Sequence, residues 1–99
     1  MSGRSTYAYL LRPTLKEMPL DPTPEENRIV GLHYDRLKQA TEAGDVFLSG
    51  LGTSGEFGIV IFEADSEEEA RRFAESDPAV ANGIMTAEFV PFRIALLRK

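Results

Sequence analysis

The sequence has no cysteine and no tryptophan, and only one histidine, His33, among its 99 residues. Without thiols there can be no disulfide, no thiolate nucleophile and no cysteine metal cluster, and one imidazole cannot build a multi-histidine metal site. No apolar run approaches the roughly 20 residues that span a bilayer. Met1-Ser2-Gly3-Arg4 leads into a strand-like segment where an exported protein would carry an apolar leader core. The expectation is a soluble, cytoplasmic chain with no membrane partner. Positive charge is scarce too: 11 Lys and Arg stand against 16 Asp and Glu, a net −5, and the basic residues are interspersed with acidic ones. Counterion release, which powers most nucleic-acid affinity, has no basic stripe to draw on, so nucleic acid is not expected as a partner.

What the chain does contain is an ordinary globular mixture, 42% hydrophobic and 27% charged, in a length that suits one core and one domain over residues 1–99. Residues 6–12, TYAYLLR, form an aromatic and aliphatic run closed by Pro13, which predicts a strand. Residues 14–22 are polar and proline-bearing, a loop. Thr23-Pro24-Glu25-Glu26 combines an N-cap threonine, a proline at the first helical position and a glutamate able to reach back. From there Ile29, Val30, Leu32, His33, Leu37 and Ala40 recur at helical spacing until Gly44. Residues 45–50 contain Val46-Phe47-Leu48, which reads as a buried strand, and the glycine-rich turn 50–55 should join it as a hairpin to residues 57–64. That turn lacks a Lys-Ser/Thr ending and no helix follows it, so it is not a phosphate loop.

Ser66 and Glu69 repeat the capping-box pattern ahead of Ala70, Phe73 and Ala74, and Asp77-Pro78 ends this second helix. One further turn is expected over residues 79–83, then a last long strand over 86–98 in which Pro91 marks an edge position or a bulge. The order βαββαβ predicts a ferredoxin-like α+β fold, with a four-stranded antiparallel sheet and two helices on one face. The other face is then bare, although the strands are apolar on both sides: Tyr7, Tyr9 and Leu11 alternate with Ala8 and Leu10, and Ile59 and Ile61 with Val60 and Phe62. Burying that face against a second copy predicts a homodimer.

Three side chains are candidates for chemistry. Helical spacing turns His33 inward with Val30, Leu37 and Ala40, and an imidazole near a carboxylate can hold or move a proton at neutral pH; the plainer reading is a core histidine bonded to backbone. Asp77 falls on the inward side of the second helix near its C-terminus, where the helix dipole disfavours a carboxylate, yet an aspartate before proline is also a natural cap for a following turn. Asp45, directly after the first helix, could approach the histidine or simply be a solvated loop acid. Tyr7, Tyr9, Phe62, Phe89 and Phe92 read as core aromatics.

The inward histidine in Gly31-Leu32-His33-Tyr34-Asp35-Arg36-Leu37 belongs to an ordered series. It continues through Glu42-Ala43-Gly44, Leu48-Ser49-Gly50, residues 66–70 and Asp77-Pro78-Ala79-Val80-Ala81-Asn82-Gly83 to Val90-Pro91-Phe92. The series resembles the YCII-related (YciI-like) family. The resemblance implies a dimeric α+β barrel in which His33 and an aspartate, Asp77 or in some members the equivalent of Asp45, form an acid–base pair in a pocket. It also implies kinship with dehalogenases of chlorinated lactones and with accessory domains. Leu51 stands where the family often has proline, which alters a pocket wall, and the loop before the first helix is longer than in short members.

Two functions therefore stand side by side. One is a cofactor-independent lyase, isomerase or dehalogenase using His33 with Asp77 or Asp45 on a small organic molecule. The other is a module that binds a small molecule, or serves as an accessory or regulatory interaction partner, without chemistry. A haem or oxygen-using barrel would share the fold, but beyond one possible axial histidine nothing in the sequence calls for a cofactor.

Overall fold

The computed structural model describes residues 4–14 and 23–98. Among them the elements are β1 (Ser5–Pro13), α1 (Pro24–Glu42), β2 (Val46–Leu51), β3 (Gly58–Ala64), α2 (Glu67–Glu75), α3 (Pro78–Ala81) and β4 (Met85–Pro91). The loop expected over 14–22 lies, apart from Thr14, outside the described residues.

The local signals act as their chemistry requires. Thr23 caps α1 in a full capping box: its side chain accepts from the Glu26 amide, and the Glu26 carboxylate accepts from the Thr23 amide at 2.7 Å. Gly44, with φ +88°, releases the chain into β2. At α2 only half the box forms, with the Ser66 hydroxyl accepting from the Glu69 amide. The hairpin turn closes through Gly52 and Phe57, whose backbone groups bond at 2.8 Å.

The strands form one antiparallel sheet in the order β2-β3-β1-β4. Register places Tyr7 opposite Phe62 and Pro91, and Tyr9 opposite Val60 and Phe89. Tyr7, Tyr9, Leu11, Val60, Phe62 and Ala64 thus share one face, and with Leu37 of α1 and Ala70 and Ala74 of α2 they make the core. The fold is ferredoxin-like, with α1 and α2 on that face. The other face carries Ala8, Leu10, Ile59, Ile61, Leu48 and Val90, by the alternation of the strands.

Three expectations are corrected. The sheet is open: β2 and β4 are its two edges and do not pair with each other, so the α+β barrel implied by the family resemblance does not form. Val46-Phe47-Leu48 is not a buried strand, because β2 lies at an edge and the register slips between Val46 and Leu48, leaving Phe47 and Leu48 exposed. The last strand ends at Pro91, and residues 92–98 lie outside it: the Phe92 amide still donates to the Thr6 carbonyl at 3.0 Å, but the partner strand β1 runs out at Ser5.

Candidate functional site

The site forms where α1 crosses α3. α1 presents one stripe inward, and His33 lies on it one turn from Leu37. From the other side the chain leaves α2 at Ser76, turns at Asp77 and enters α3, whose first amide donates to the Asp77 side chain (Ala79 N to Oδ1, 2.9 Å). Asp77 is a cap, as its place before Pro78 suggests, and it also partners the histidine. His33 Nδ1 lies 2.7 Å from Oδ1 and 2.8 Å from Oδ2 of a carboxylate with no exposed surface.

A third group completes the carboxylate's environment. The Tyr9 hydroxyl, rising from the centre of the sheet, donates to Asp77 Oδ2 at 2.8 Å. Three donors, from an imidazole, a phenol and a backbone amide, therefore converge on two oxygens. Burial alone would push the Asp77 carboxyl up. The His33 hydrogen bond and charge, the Tyr9 hydroxyl and the Ala79 amide outweigh it and hold the group below its ordinary value, as a carboxylate. Tyr9 is driven far above the usual phenol range, first by burial and then by the Asp77 charge and hydrogen bond, against a smaller opposing pull from the Arg36 cation. It stays a donor at every working pH.

Arg36 lies one turn beyond His33 on α1. Its Nη2 donates to the Phe73 carbonyl at 2.6 Å and to Ser76 Oγ at 3.1 Å, and its guanidinium carbon sits 4.0 Å from the centre of the Phe73 ring. Its other terminal nitrogen, Nη1, is buried with no hydrogen-bond partner among the described residues.

With an ionised Asp77 accepting at Nδ1, that nitrogen carries a proton in either charge state of the ring. Nε2, on the far side, is left for the space His33 lines. That space is a cavity of about 260 Å³ between α1 and the β2–β3 hairpin, walled mainly by Leu11, Val30, Leu37, Leu51, Phe57 and Met85, with Ser49 and Tyr34 as the other polar groups. Among the described residues no Lys, Arg, Asp or Glu lines it. The size, at the low end for ligand sites, suits a single ring with few substituents. Leu51 is part of its wall. A larger, shallow depression of about 580 Å³, bordered by Arg4, Glu67 and residues 91–94, includes none of these groups.

The structure brings His33 and Asp77 together and leaves Asp45 elsewhere. The Asp45 carboxylate accepts from Arg4 at 2.9 Å and precedes Val46, at the opposite end of β2 from Ser49, Gly50 and Leu51, which border the cavity. Tyr9 and Arg36 are the residues that sequence reasoning missed. A tyrosine on the fully buried face of a central strand must find a partner for its hydroxyl, and that requirement was the available signal. Among the described residues no group of three or more His, Asp or Glu is placed to hold a metal ion, and no helix is long and apolar enough to cross a membrane.

The pattern of the YCII-related domain matches residues 7–93. The chain belongs to the YCII-related family. His33, Asp77, Tyr9 and Arg36 all lie inside the matched span of this YCII-related domain. Among solved structures, it is similar to 5-chloro-2-hydroxyhydroquinone dehydrochlorinase from Burkholderia phenoliruptrix, determined in complex with 2,5-dihydroxybenzoquinone. The TM-score is 0.65 at 16% identity, over 88% of this chain and 93% of the other, a likeness of fold. No curated protein matches the chain by sequence.

Proposed function

We propose that this YCII-related chain is an enzyme that moves a proton on a small, largely apolar organic molecule, using chemistry that a His–Asp pair can carry by itself. His33 Nε2 takes the proton and, where the reaction requires it, returns it. Asp77 fixes the ring and its tautomer and balances the imidazolium that forms. The observation that carries this reading is the imidazole held at both oxygens of a buried carboxylate, with its second nitrogen left for an apolar cavity. A proton removed beside a carbonyl or ring hydroxyl leaves an electron pair. The pair either expels a leaving group such as chloride, a dehydrohalogenation, or is reprotonated at another carbon, an isomerisation. Such transfer by a positioned base is worth about 10²- to 10⁴-fold in rate.

The apolar side chains that the described residues give the cavity favour neutral or weakly acidic rings over phosphates and polyacids. The fold shared with the hydroquinone dehydrochlorinase makes chlorinated hydroquinones a natural first panel, followed by small lactones and enol acids. The test is turnover of that panel by the native chain and by His33→Gln. A native rate that the variant loses supports the proposal. An unchanged rate refutes it, and saturable binding with no turnover across the panel would favour a binding module.

We also propose that the chain works as a homodimer joined through the uncovered sheet face. On that face Leu10, Ile59 and Val90 are partly exposed around Ala8 and Ile61, which are buried within the chain, between Glu63 on one side and Arg12 and Glu88 on the other, and such a partly exposed apolar centre favours association over water. Sedimentation at micromolar concentration should report two chains per particle, and monomers would refute it.

A further inference from the structure

The carboxylate that orients His33 does not come from a rigid strand. It sits at a turn between two short helices, α2 and the four-residue α3, and the histidine comes from a different helix. Something must fix the gap between these pieces, because a displacement of about 1 Å is enough to spoil an acid–base pair. Besides His33 itself and the packing of α1 on α3, α1 reaches that turn through one long side chain. The Arg36 Nη2 holds both the Phe73 carbonyl, in the last turn of α2, and the hydroxyl of Ser76, the C-cap directly before Asp77. The same guanidinium lies flat over the Phe73 ring, which in turn meets Tyr9 edge-on at 6.1 Å and Phe62 at 4.8 Å.

We infer that Arg36 is a positioning residue. It ties the helix carrying His33 to the peptide carrying Asp77 and so sets the His33–Asp77 contact. Its location one turn from His33, its fork across Phe73 and Ser76, and its stacking on the ring that packs against Tyr9 all act on one short stretch of chain. A cation parked for solubility would face water. This one keeps a buried nitrogen with no partner among the described residues, an arrangement that folding alone does not favour and that an apolar side chain would avoid. Lysine could supply the charge and two bonds from one nitrogen, but not the planar face that rests on the Phe73 ring.

The consequence extends the proposed function, and the readout below stands apart from turnover. Because His33 is the only histidine, its Nδ1–H proton gives one unambiguous downfield resonance, protected from solvent exchange while the bond to Asp77 holds. Native protein, Arg36→Met, Arg36→Lys and a control, Val46→Ala, which opens the core at the far end of β2, are compared for that resonance and for thermal melting. The resonance should be sharp in the native chain and in Val46→Ala, despite the control's lower melting temperature. It should exchange at least tenfold faster in Arg36→Met and be only partly restored in Arg36→Lys. A native-like resonance in Arg36→Met overturns the inference while leaving the His33–Asp77 pair intact. Equal loss in Val46→Ala overturns it by making the effect one of stability. Absence of the resonance from the native chain refutes the pair and the inference together.

Discussion

Replacing Asp77 with asparagine separates its two tasks. As a cap for α3, asparagine serves about as well as aspartate, so the bond to the Ala79 amide should survive. The other two donors cannot both be kept. His33 Nδ1, the Tyr9 hydroxyl and the Ala79 amide now share two carboxylate oxygens; asparagine offers one oxygen and an NH₂. The Tyr9 hydroxyl can turn and accept. The imidazole can accept only by moving its own proton from Nδ1 to Nε2, which turns the nitrogen left for the cavity from an acceptor into a donor. One strained or lost bond at a buried site costs about 1–3 kcal/mol, a fall in Tm of roughly 5–20 °C for a domain of this size. Turnover should fall further than stability explains, by about 10²- to 10⁴-fold, because the base now carries its proton on the wrong nitrogen. Calorimetry, initial rates and the imidazole ¹⁵N shifts of the same sample test this. Asp77→Asn with native tautomer and native rate would refute the orienting role and leave only the cap.

Tyr9→Phe removes one donor from the buried carboxylate and should cost about 1–3 kcal/mol in chemical denaturation while preserving the core; a change under about 0.5 kcal/mol would contradict the hydrogen bond. Asp77 also gives a pH signature. Its folded pKa is depressed, so its stabilising share is fully present above the unfolded value of about 3.9 and is lost as pH falls through the folded value. Below about pH 4 the native Tm should therefore fall more steeply than that of Asp77→Asn, and parallel curves would contradict the shift. Asp45→Asn touches only the partly exposed pair with Arg4; it should cost no more than about 1 kcal/mol and leave turnover unchanged, as a rate assay would show. Gly31→Ala adds a methyl that meets nothing within 4 Å on the outer side of α1 and should raise stability by about 0.5–1 kcal/mol; a loss would mean that this face of the helix is covered.

Much of the fold was legible because local chemistry and tertiary packing agree. Thr23-Pro24-Glu25-Glu26 starts a helix on its own terms, and Asp77-Pro78 both ends one helix and begins another. β2 misled because Val46-Phe47-Leu48 has the composition of a buried strand, and only the strand order reveals that it lies at an edge. Pro91 was recognised as an edge residue, but the last strand was drawn too long because its partner β1 runs out at Ser5. At the site, His33 was visible from helical period and Asp77 from its awkward place at a helix end. Nothing local distinguishes Asp77 from Asp45 as the partner, since that choice depends on how α3 folds back onto α1. Arg36 was out of reach for the same reason, and Tyr9 was read only as a core aromatic although a buried hydroxyl calls for a partner. Their partners lie 68, 37 and 40 residues away along the chain, and a tyrosine in a strand or an arginine on a helix has an adequate structural reading by itself.

The central claim is that His33 carries its proton toward Asp77 and presents a bare nitrogen to the cavity. The direct measurement is the ¹⁵N spectrum of its imidazole, taken with the ring neutral. The account predicts a protonated-type shift at Nδ1 and a bare, acceptor-type shift at Nε2, with the latter moving when a chlorinated hydroquinone fills the cavity. A proton on Nε2 instead, or a rapidly exchanging mixture of both tautomers, would contradict it.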